Sequence, residues 1–539
     1  MKRKALLRGA LLGAATSLAV IGLLYLGDQA AGLPFVPFDI FDWVARALPG
    51  PIITFGIDLM VTIITALRLG DTSTTAKLAE QSMAIGQLVI GGAVFGAVLA
   101  ALHERRPADT TTNGIIGGLI LMAVTLLIVG SVGFGDAGAT LSAIWLAVLF
   151  AAWGWALGWL VERADPALDK EAGAALTRRQ FLSLAGGGSL VVAAVGLGLG
   201  RLFGRDDAVA EVEDMPMPED DPFGASLTSG PAASPDPETL AARPAPVKGT
   251  RPELTHNDDF YRIDINTRAP VVDANDWRLE ITGLVDSPLF LSLDEIRALP
   301  SQTQALTMQC ISNRIGGDLT GTTRWTGVRL KEVLDRAGMK PEAAAIVISS
   351  TDGFFETIVM DDILDERSLL VYDMNGVPLP TEHGFPLRVY IPNRYGMKQP
   401  KWIETIEVVD EWVRGYWVVR GWSREAIAHT VSVVDTVAVG ADAQGNQVVH
   451  VGGMAWAGER GISKVEVQAD GGPWAEAQLI GPPLSPLSWV LWSYEWEYDQ
   501  GSHTFSVRAY DGAGAMQTVE ERPPRPNGAT GLHTLRVRI

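Results

Sequence analysis

Before residue 205 the chain is written in long apolar runs; beyond about residue 254 apolar and polar positions alternate over short distances. Five early runs (9–26, 83–102, 114–134, 139–161 and 181–203) are each long enough to cross about 30 Å of hydrocarbon as a helix. A sixth run, 52–69, carries Thr54, Asp58, Thr62 and Thr65 at spacings of three or four, which lines them along one helix face. The preceding stretch FVPFDIFDWVARALPG is aromatic and amphipathic, the pattern of a helix lying in a membrane interface.

Basic residues orient these runs. Lys2, Arg3, Lys4 and Arg8 place the N-terminus in the cytoplasm, and the loop His103-Glu104-Arg105-Arg106 and the approach to Phe181 are basic too. All three fall inside if 52–69 lies on the outer surface rather than spanning. The expectation is therefore about five spans within 1–204. The last opens with Thr177-Arg178-Arg179-Gln180-Phe181-Leu182 and continues in a mildly apolar Gly/Ala-rich stretch. This resembles a twin-arginine export signal, here internal and uncleaved. That route carries folded proteins, which suits a domain that takes up a cofactor before crossing. The multi-pass protein would then sit in the cell membrane with its soluble half on the extracytoplasmic side. Residues 205–250 form a linker, first acidic, then rich in Pro, Ser and Ala.

Within 251–424 helical and strand patterns mix. Strands are predicted over 277–284, 345–349 and 387–391, and short helices over 293–299 and 330–337. Within 425–539 the helical period disappears. Alternating runs at 430–437, 448–457, 462–469, 489–498, 503–510 and 533–539 suggest an immunoglobulin-like sandwich, with Trp474, Trp489, Trp492 and Trp496 as packing residues.

Composition narrows the function. Acidic residues outnumber basic ones, 62 to 43, and a net charge of −19 excludes a nucleic-acid partner. A single cysteine excludes an intrachain disulfide, a cysteine-rich zinc site and a cysteine-ligated iron–sulfur cluster. No CxxCH occurs for a c-type haem. His103 is the only histidine before residue 205, so the membrane half lacks the pair needed for bis-histidine haem. A redox site anywhere in the chain would then need an external electron carrier. The spans carry few charges, Asp58 in the sixth run apart, which disfavours a transporter or receptor.

The lone thiol is Cys310, in Thr307-Met308-Gln309-Cys310-Ile311-Ser312-Asn313. It follows a short strand-like run and precedes Gly316-Gly317, where backbone can approach a large ligand closely. A single cysteine is commonly an inert buried residue. The sharper alternative is a soft metal held by one thiolate.

The ordered motifs from about Thr255 onward resemble the sulfite oxidase family of molybdopterin enzymes. They are Asn257-Asp258-Asp259-Phe260-Tyr261-Arg262-Ile263-Asp264, Trp277-Arg278-Leu279, MQCISN, Trp325-Thr326-Gly327-Val328 and Thr351-Asp352-Gly353-Phe354. Tyr372-Asp373-Met374-Asn375-Gly376, His383-Gly384-Phe385-Pro386-Leu387-Arg388 and Lys401-Trp402 complete the series, and GGMAWAGERGISKVEVQADGGPW is similar to that family's dimerisation domain. The resemblance implies an α-helical membrane domain followed by an α+β sulfite-oxidase-type molybdopterin domain and the sandwich. It implies a molybdenum–molybdopterin cofactor, Cys310 as its one protein ligand to the metal, and cofactor contacts from Asn257, Tyr261, Arg262, Asp352, His383, Arg388, Gln399, Pro400 and Lys401. It also implies oxygen-atom transfer to or from a small-molecule substrate, and a homodimer formed through the C-terminal domain. Arg388 and Lys401 suit the cofactor's phosphate. The chain departs from the sulfite-oxidising pattern at Ile315, after Arg314, and at Val419-Arg420-Gly421-Trp422. The competing reading is a scaffold that keeps the fold without metal.

Overall fold

The computed structural model describes residues 2–67, 69–135, 137–164, 186–202, 237–442 and 444–539. Arg178 and Arg179, the first part of the 181–203 run and most of the 205–250 linker lie outside the described residues. The chain forms two compact units. One comprises Met1–Pro49, Thr75–Ala208 and Asn266–Arg268; the other comprises Gly50–Thr74, Val209–Ile265 and Ala269–Ile539.

The first unit is helical. Its long helices Lys2–Ala31, Thr72–His103, Thr110–Val132 and Gly138–Arg163 pack through glycines: Gly9 lies against Gly96, Gly114 against Gly154 and Gly118 against Phe150, with backbone meeting backbone. Small residues allow such approach where apolar association alone gives no drive between helices in lipid. Leu24, Leu99, Leu146 and Leu157 fill the centre, and Trp153 Nε1 donates to Thr16 Oγ1 at 2.9 Å. His103 Nδ1 lies 2.6 Å from Thr110 Oγ1. The amphipathic stretch expected to be helical is the helix Val36–Ala47.

Among the described residues, five helices are long and apolar enough to cross a membrane: Arg3–Ala31, Gly50–Leu67, Thr72–His103, Pro107–Val132 and Gly138–Arg163. They are consistent with membrane anchoring. The set differs from the one expected. It includes Gly50–Leu67 by length and composition, and of the 181–203 run the described part is the apolar helix Gly188–Leu202.

The second unit carries the sheets. One holds β1 (Leu279–Gly283), β2 (Leu289–Leu291), β5 (Ala345–Ser350), β6 (Phe355–Val359) and β10 (Ile403–Val409) in the order β2-β1-β10-β5-β6. Only β1 and β10 run parallel. The other holds β3 (Ser301–Gln309), β4 (Thr320–Arg329), β7 (Leu369–Met374) and β8 (Val377–Pro378), with β9 (Arg388–Tyr390) paired to β7. Helix Leu330–Ala337 buries Leu330, Val333, Leu334 and Ala337 and stops at Gly338, whose φ of 71° favours glycine.

The C-terminal region is two four-stranded sheets. β11 (Val431–Ala441), β12 (Gln447–Trp456), β15 (Gln478–Ile480) and β16 (Val490–Glu497) form one; β13 (Ile462–Ala469), β14 (Trp474–Glu476), β17 (Ser502–Asp511) and β18 (His533–Arg538) form the other. Val434, Val449 and Val451 of the first share a core with Val467, Phe505 and Val507 of the second. Trp489 and Trp492 are buried, Trp496 packs at the core's margin, and Trp474 lies under the Arg508 guanidinium at 4.2 Å.

Candidate active site

β3 and β4 pair antiparallel at the edge of their sheet, where threonines stand opposite one another. Thr307 and Thr322 bond to each other across the pair, and Thr303 Oγ1 lies 2.8 Å from Thr326 Oγ1. Cys310 follows the last residue of β3. Its N–H donates to Leu319 O at 3.0 Å and its carbonyl accepts from Asn313 N at 3.0 Å, so the 311–318 loop starts and ends on the cysteine's own backbone. Asn313 Oδ1 accepts from Leu319 N at 3.1 Å and closes the loop. Gly316, with φ of 77°, leaves room for the His533 ring, which a Cβ there would strike. The Cys310 side chain is buried, with Sγ 3.0 Å from Ser312 Oγ. Burial pushes its thiol up from the ordinary value. A thiolate at this position therefore needs a cation or a metal beside it.

The segment before β1 supplies the neighbouring wall. Phe260 and Tyr261 stack with ring centroids 5.2 Å apart, and Phe260 meets the Trp325 and His383 rings edge-on. Tyr261 Oη is buried without a hydrogen-bond partner. Gly396 lies so close that a Cβ there would meet this hydroxyl at 2.9 Å and Cys310 Cα at 3.9 Å. Burial, and the nearby Cys310, raise the Tyr261 phenol well above its ordinary range.

His383 Nε2 lies 3.0 Å from Asn257 O, and since a carbonyl only accepts, Nε2 carries the proton. Burial, with Lys401 and Arg388 adding repulsion, brings His383 down to about 3, so the ring is neutral. Arg388 opens β9, is 4% exposed, and sits 4.8 Å over the Trp325 ring. It donates to His383 O at 2.9 Å and to Met308 Sδ at 3.3 Å, while its Nε is buried without a partner. Among the described residues no carboxylate forms an ion pair with it. Burial lowers it to about 10.

A second cationic group adjoins. Arg262 Nε and Lys401 Nζ converge on Asp264 Oδ2 at 2.8 and 3.5 Å, and Lys401 also donates to Glu382 O at 2.9 Å. Asp352 is buried, accepts from Phe354 N at 2.9 Å, and is felt electrostatically by Lys401. Gln399 Nε2 donates to Arg394 O at 2.9 Å; its Oε1 is buried without a partner, as is Arg262 Nη2.

The structure thus gathers Cys310, Tyr261, Arg262, His383, Arg388, Gln399, Lys401 and Asp352 into one region. Asn257 takes part by its carbonyl, its side chain being held by Asn375 Nδ2 at 2.9 Å. Pro400 takes part by its backbone, accepting from Val389 N at 2.9 Å. Asp264, Ser312, Met308, Trp325 and Gly396 belong to the site too. Sequence reading assigned them no role, because their parts depend on contacts far apart in the chain. Four orphaned buried polar atoms (Tyr261 Oη, Arg262 Nη2, Arg388 Nε and Gln399 Oε1) offer three donors and an acceptor. Buried polar atoms without partners are costly, and their concentration here fits a polar, anionic ligand such as a pterin ending in phosphate.

The positions where the chain departs from the sulfite-oxidising pattern have partners of their own. Arg314 Nη2 donates to Thr62 Oγ1 at 2.8 Å. Arg420 lies 3.6 Å over the Tyr416 ring. Ile315 packs on the cluster holding Ile311, Tyr395, Met397 and Trp422.

Comparison with known proteins gives a consistent picture. A family model described as the oxidoreductase molybdopterin binding domain matches residues 266–417. An uncharacterized oxidoreductase of Bacillus subtilis, YuiH, is 36% identical over 154 residues, covering 28% of this chain and 74% of that protein. The mitochondrial sulfite oxidase of Rattus norvegicus is 29% identical over 298 residues, covering 47% of this chain and 54% of the enzyme, so the chain spans about half the length of that relative. Among solved structures, the sulfane dehydrogenase SoxCD of Paracoccus pantotrophus aligns with a TM-score of 0.47 and 20% identity, over 59% of this chain and 92% of that one.

Proposed function

Because the chain belongs to a family of oxidoreductases that carry a molybdopterin binding domain, we propose that it is a sulfite-oxidase-type, membrane-anchored, extracytoplasmic enzyme of oxygen-atom transfer, working either as a sulfite-type oxidase or as a sulfoxide-type reductase. One observation carries this reading. A buried, lone thiol adjoins Tyr261 and an unpaired buried arginine, in a region where further polar atoms await partners. When bound, the molybdenum–molybdopterin cofactor supplies two-electron redox chemistry and an exchangeable oxo group. Cys310 holds the metal. Arg388, Arg262 and Lys401 neutralise the anionic end. Neutral His383, Asp352 and the Gln399 amide orient the pterin by hydrogen bonds. The apolar wall of Phe260, Trp325 and Tyr261 excludes water from the thiolate. An external carrier exchanges electrons with the site, and the C-terminal sheets form an immunoglobulin-like domain through which two chains pair.

The test is turnover on intact spheroplasts of cells making the cofactor, with a membrane-impermeant electron carrier and either sulfite or a sulfoxide. The reading expects activity with one of them before lysis and molybdenum near one atom per chain. Activity only after lysis contradicts the extracytoplasmic placement. No activity with either, and no molybdenum, overturns the function.

A pH dependence follows from Lys401. Burial lowers its pKa to about 8 against the pull of Asp264. An anion bound beside it raises that value, so binding takes up a proton above pH 8 and none below. Molybdopterin affinity of the apo-protein should therefore be level below about pH 8 and fall above it by up to about tenfold per pH unit. Equilibrium binding across pH checks this. Lys401→Arg, charged throughout the range, should abolish the fall.

A further inference from the structure

The helix Gly50–Leu67 has two unlike faces. One is seated on the catalytic unit: Thr54 and Ile64 are buried, and Ile57 and Val61 half-buried. Arg525 donates to Thr54 Oγ1, Arg314 donates to Thr62 Oγ1 at 2.8 Å, and the Gly50 backbone lies against Arg420. Just beyond the helix, Thr72 N donates to Asp318 Oδ2 at 2.8 Å. Arg314 and Asp318 both belong to the loop that follows Cys310. The other face carries Ile52, Phe55, Leu59, Ile63 and Leu67, with Phe55 69% exposed and Leu59 49% exposed. At 100° per residue these five fall on one side of the helix. Large side chains in a continuous exposed stripe mark an interaction surface.

We propose that this helix is a strap that seats the catalytic unit on the bilayer surface, its apolar stripe lying in the lipid interface and its opposite face gripping the loop after Cys310. The proposal rests on the membrane-anchored reading above. Two observations favour lipid over a protein as the occupant. The connection from Leu67 to the apolar helix starting at Thr72 is the four residues 68–71, a tether of at most about 18 Å, so the stripe cannot leave the neighbourhood of a bilayer that Thr72–His103 crosses. The preceding helix Val36–Ala47 is amphipathic as well, so two successive elements carry the interfacial pattern. A spanning placement conflicts with the same contacts, because it would take the guanidinium groups of Arg314 and Arg525 toward hydrocarbon.

The test is depth-dependent quenching in the full chain reconstituted into phosphatidylcholine–phosphatidylglycerol vesicles. Bimane is attached at Ile52→Cys, Leu59→Cys or Leu67→Cys, and at Ile120→Cys as a reference on Pro107–Val132; wild type, with only buried Cys310, gives the labelling blank. Nitroxide lipids carry the quencher near the headgroup or near the chain end. The strap predicts that all three probes are quenched about twofold more by the shallow nitroxide than by the deep one, while Ile120→Cys shows the reverse. Deep quenching at Leu59→Cys with shallow ends means that the helix spans, and overturns the proposal. No quenching at the three sites, with Ile120→Cys still quenched, means a protein or water covers the stripe, and also overturns it. Loss of quenching at Ile120→Cys as well overturns the membrane-anchored reading itself.

Discussion

Cys310→Ser yields a folded protein that has lost oxygen-atom transfer by at least about a hundredfold. Loss of a residue that merely orients a metal ligand costs about ten- to a hundredfold, and loss of the ligand itself exceeds that. The fold survives because the side chain's structural part is small. Sγ has one polar neighbour, Ser312 Oγ at 3.0 Å, and the loop is closed by backbone bonds and by Asn313, none of which the substitution touches. Serine is slightly smaller than cysteine and has a hydroxyl that Ser312 can satisfy. Thermal unfolding of the apo-protein should move little, while turnover with sulfite or sulfoxide vanishes. A variant that keeps turnover removes the thiolate from the chemistry. A variant that fails to fold is separated by Cys310→Ala, which leaves no polar group to bury.

Arg388→Met separates stability from function in the opposite direction. The guanidinium is buried, no carboxylate among the described residues neutralises it, and burial already lowers it to about 10. Its bonds go to a carbonyl and a thioether, and its face lies on Trp325. Exchange of a buried, unneutralised charge for an apolar group of similar volume removes its desolvation cost. The apo-protein should therefore unfold at a higher temperature as Arg388→Met. A charge-assisted hydrogen bond contributes about 1.5–3 kcal/mol, so cofactor retention should fall by roughly ten- to a hundredfold. Scanning calorimetry of the apo-protein and molybdenum content after gel filtration check the two halves. A destabilised apo-protein with undiminished cofactor would make Arg388 a structural residue only.

Some of this was legible in the residue pattern and some was not, for identifiable reasons. The helix Leu330–Ala337 matches its predicted span because its apolar residues recur at helical spacing and a glycine ends it. β13 matches because Ile462–Ala469 alternates cleanly. β3 and β4, which carry the thiol, were hardly visible. Both are rich in threonine and buried along most of their length, so they show no alternation between an inside and an outside. The site residues were legible only through ordered motifs. Nothing local joins Arg262 to Lys401, 139 positions later, through Asp264; that contact exists because β10 lies beside β1 and brings the Lys401-Trp402 segment back to the start of the unit. The helix Gly50–Leu67 was legible as amphipathic, but its attachment to Arg314 and Arg525 was not, since each partner lies more than two hundred residues away.

The most direct measurement is molybdenum X-ray absorption on protein matured with its cofactor, comparing wild type with Cys310→Ser. The account predicts molybdenum in both at the edge, with one sulfur neighbour fewer in the variant and an oxygen or nitrogen in its place. An unchanged sulfur shell would mean that the thiol at position 310 never touched the metal.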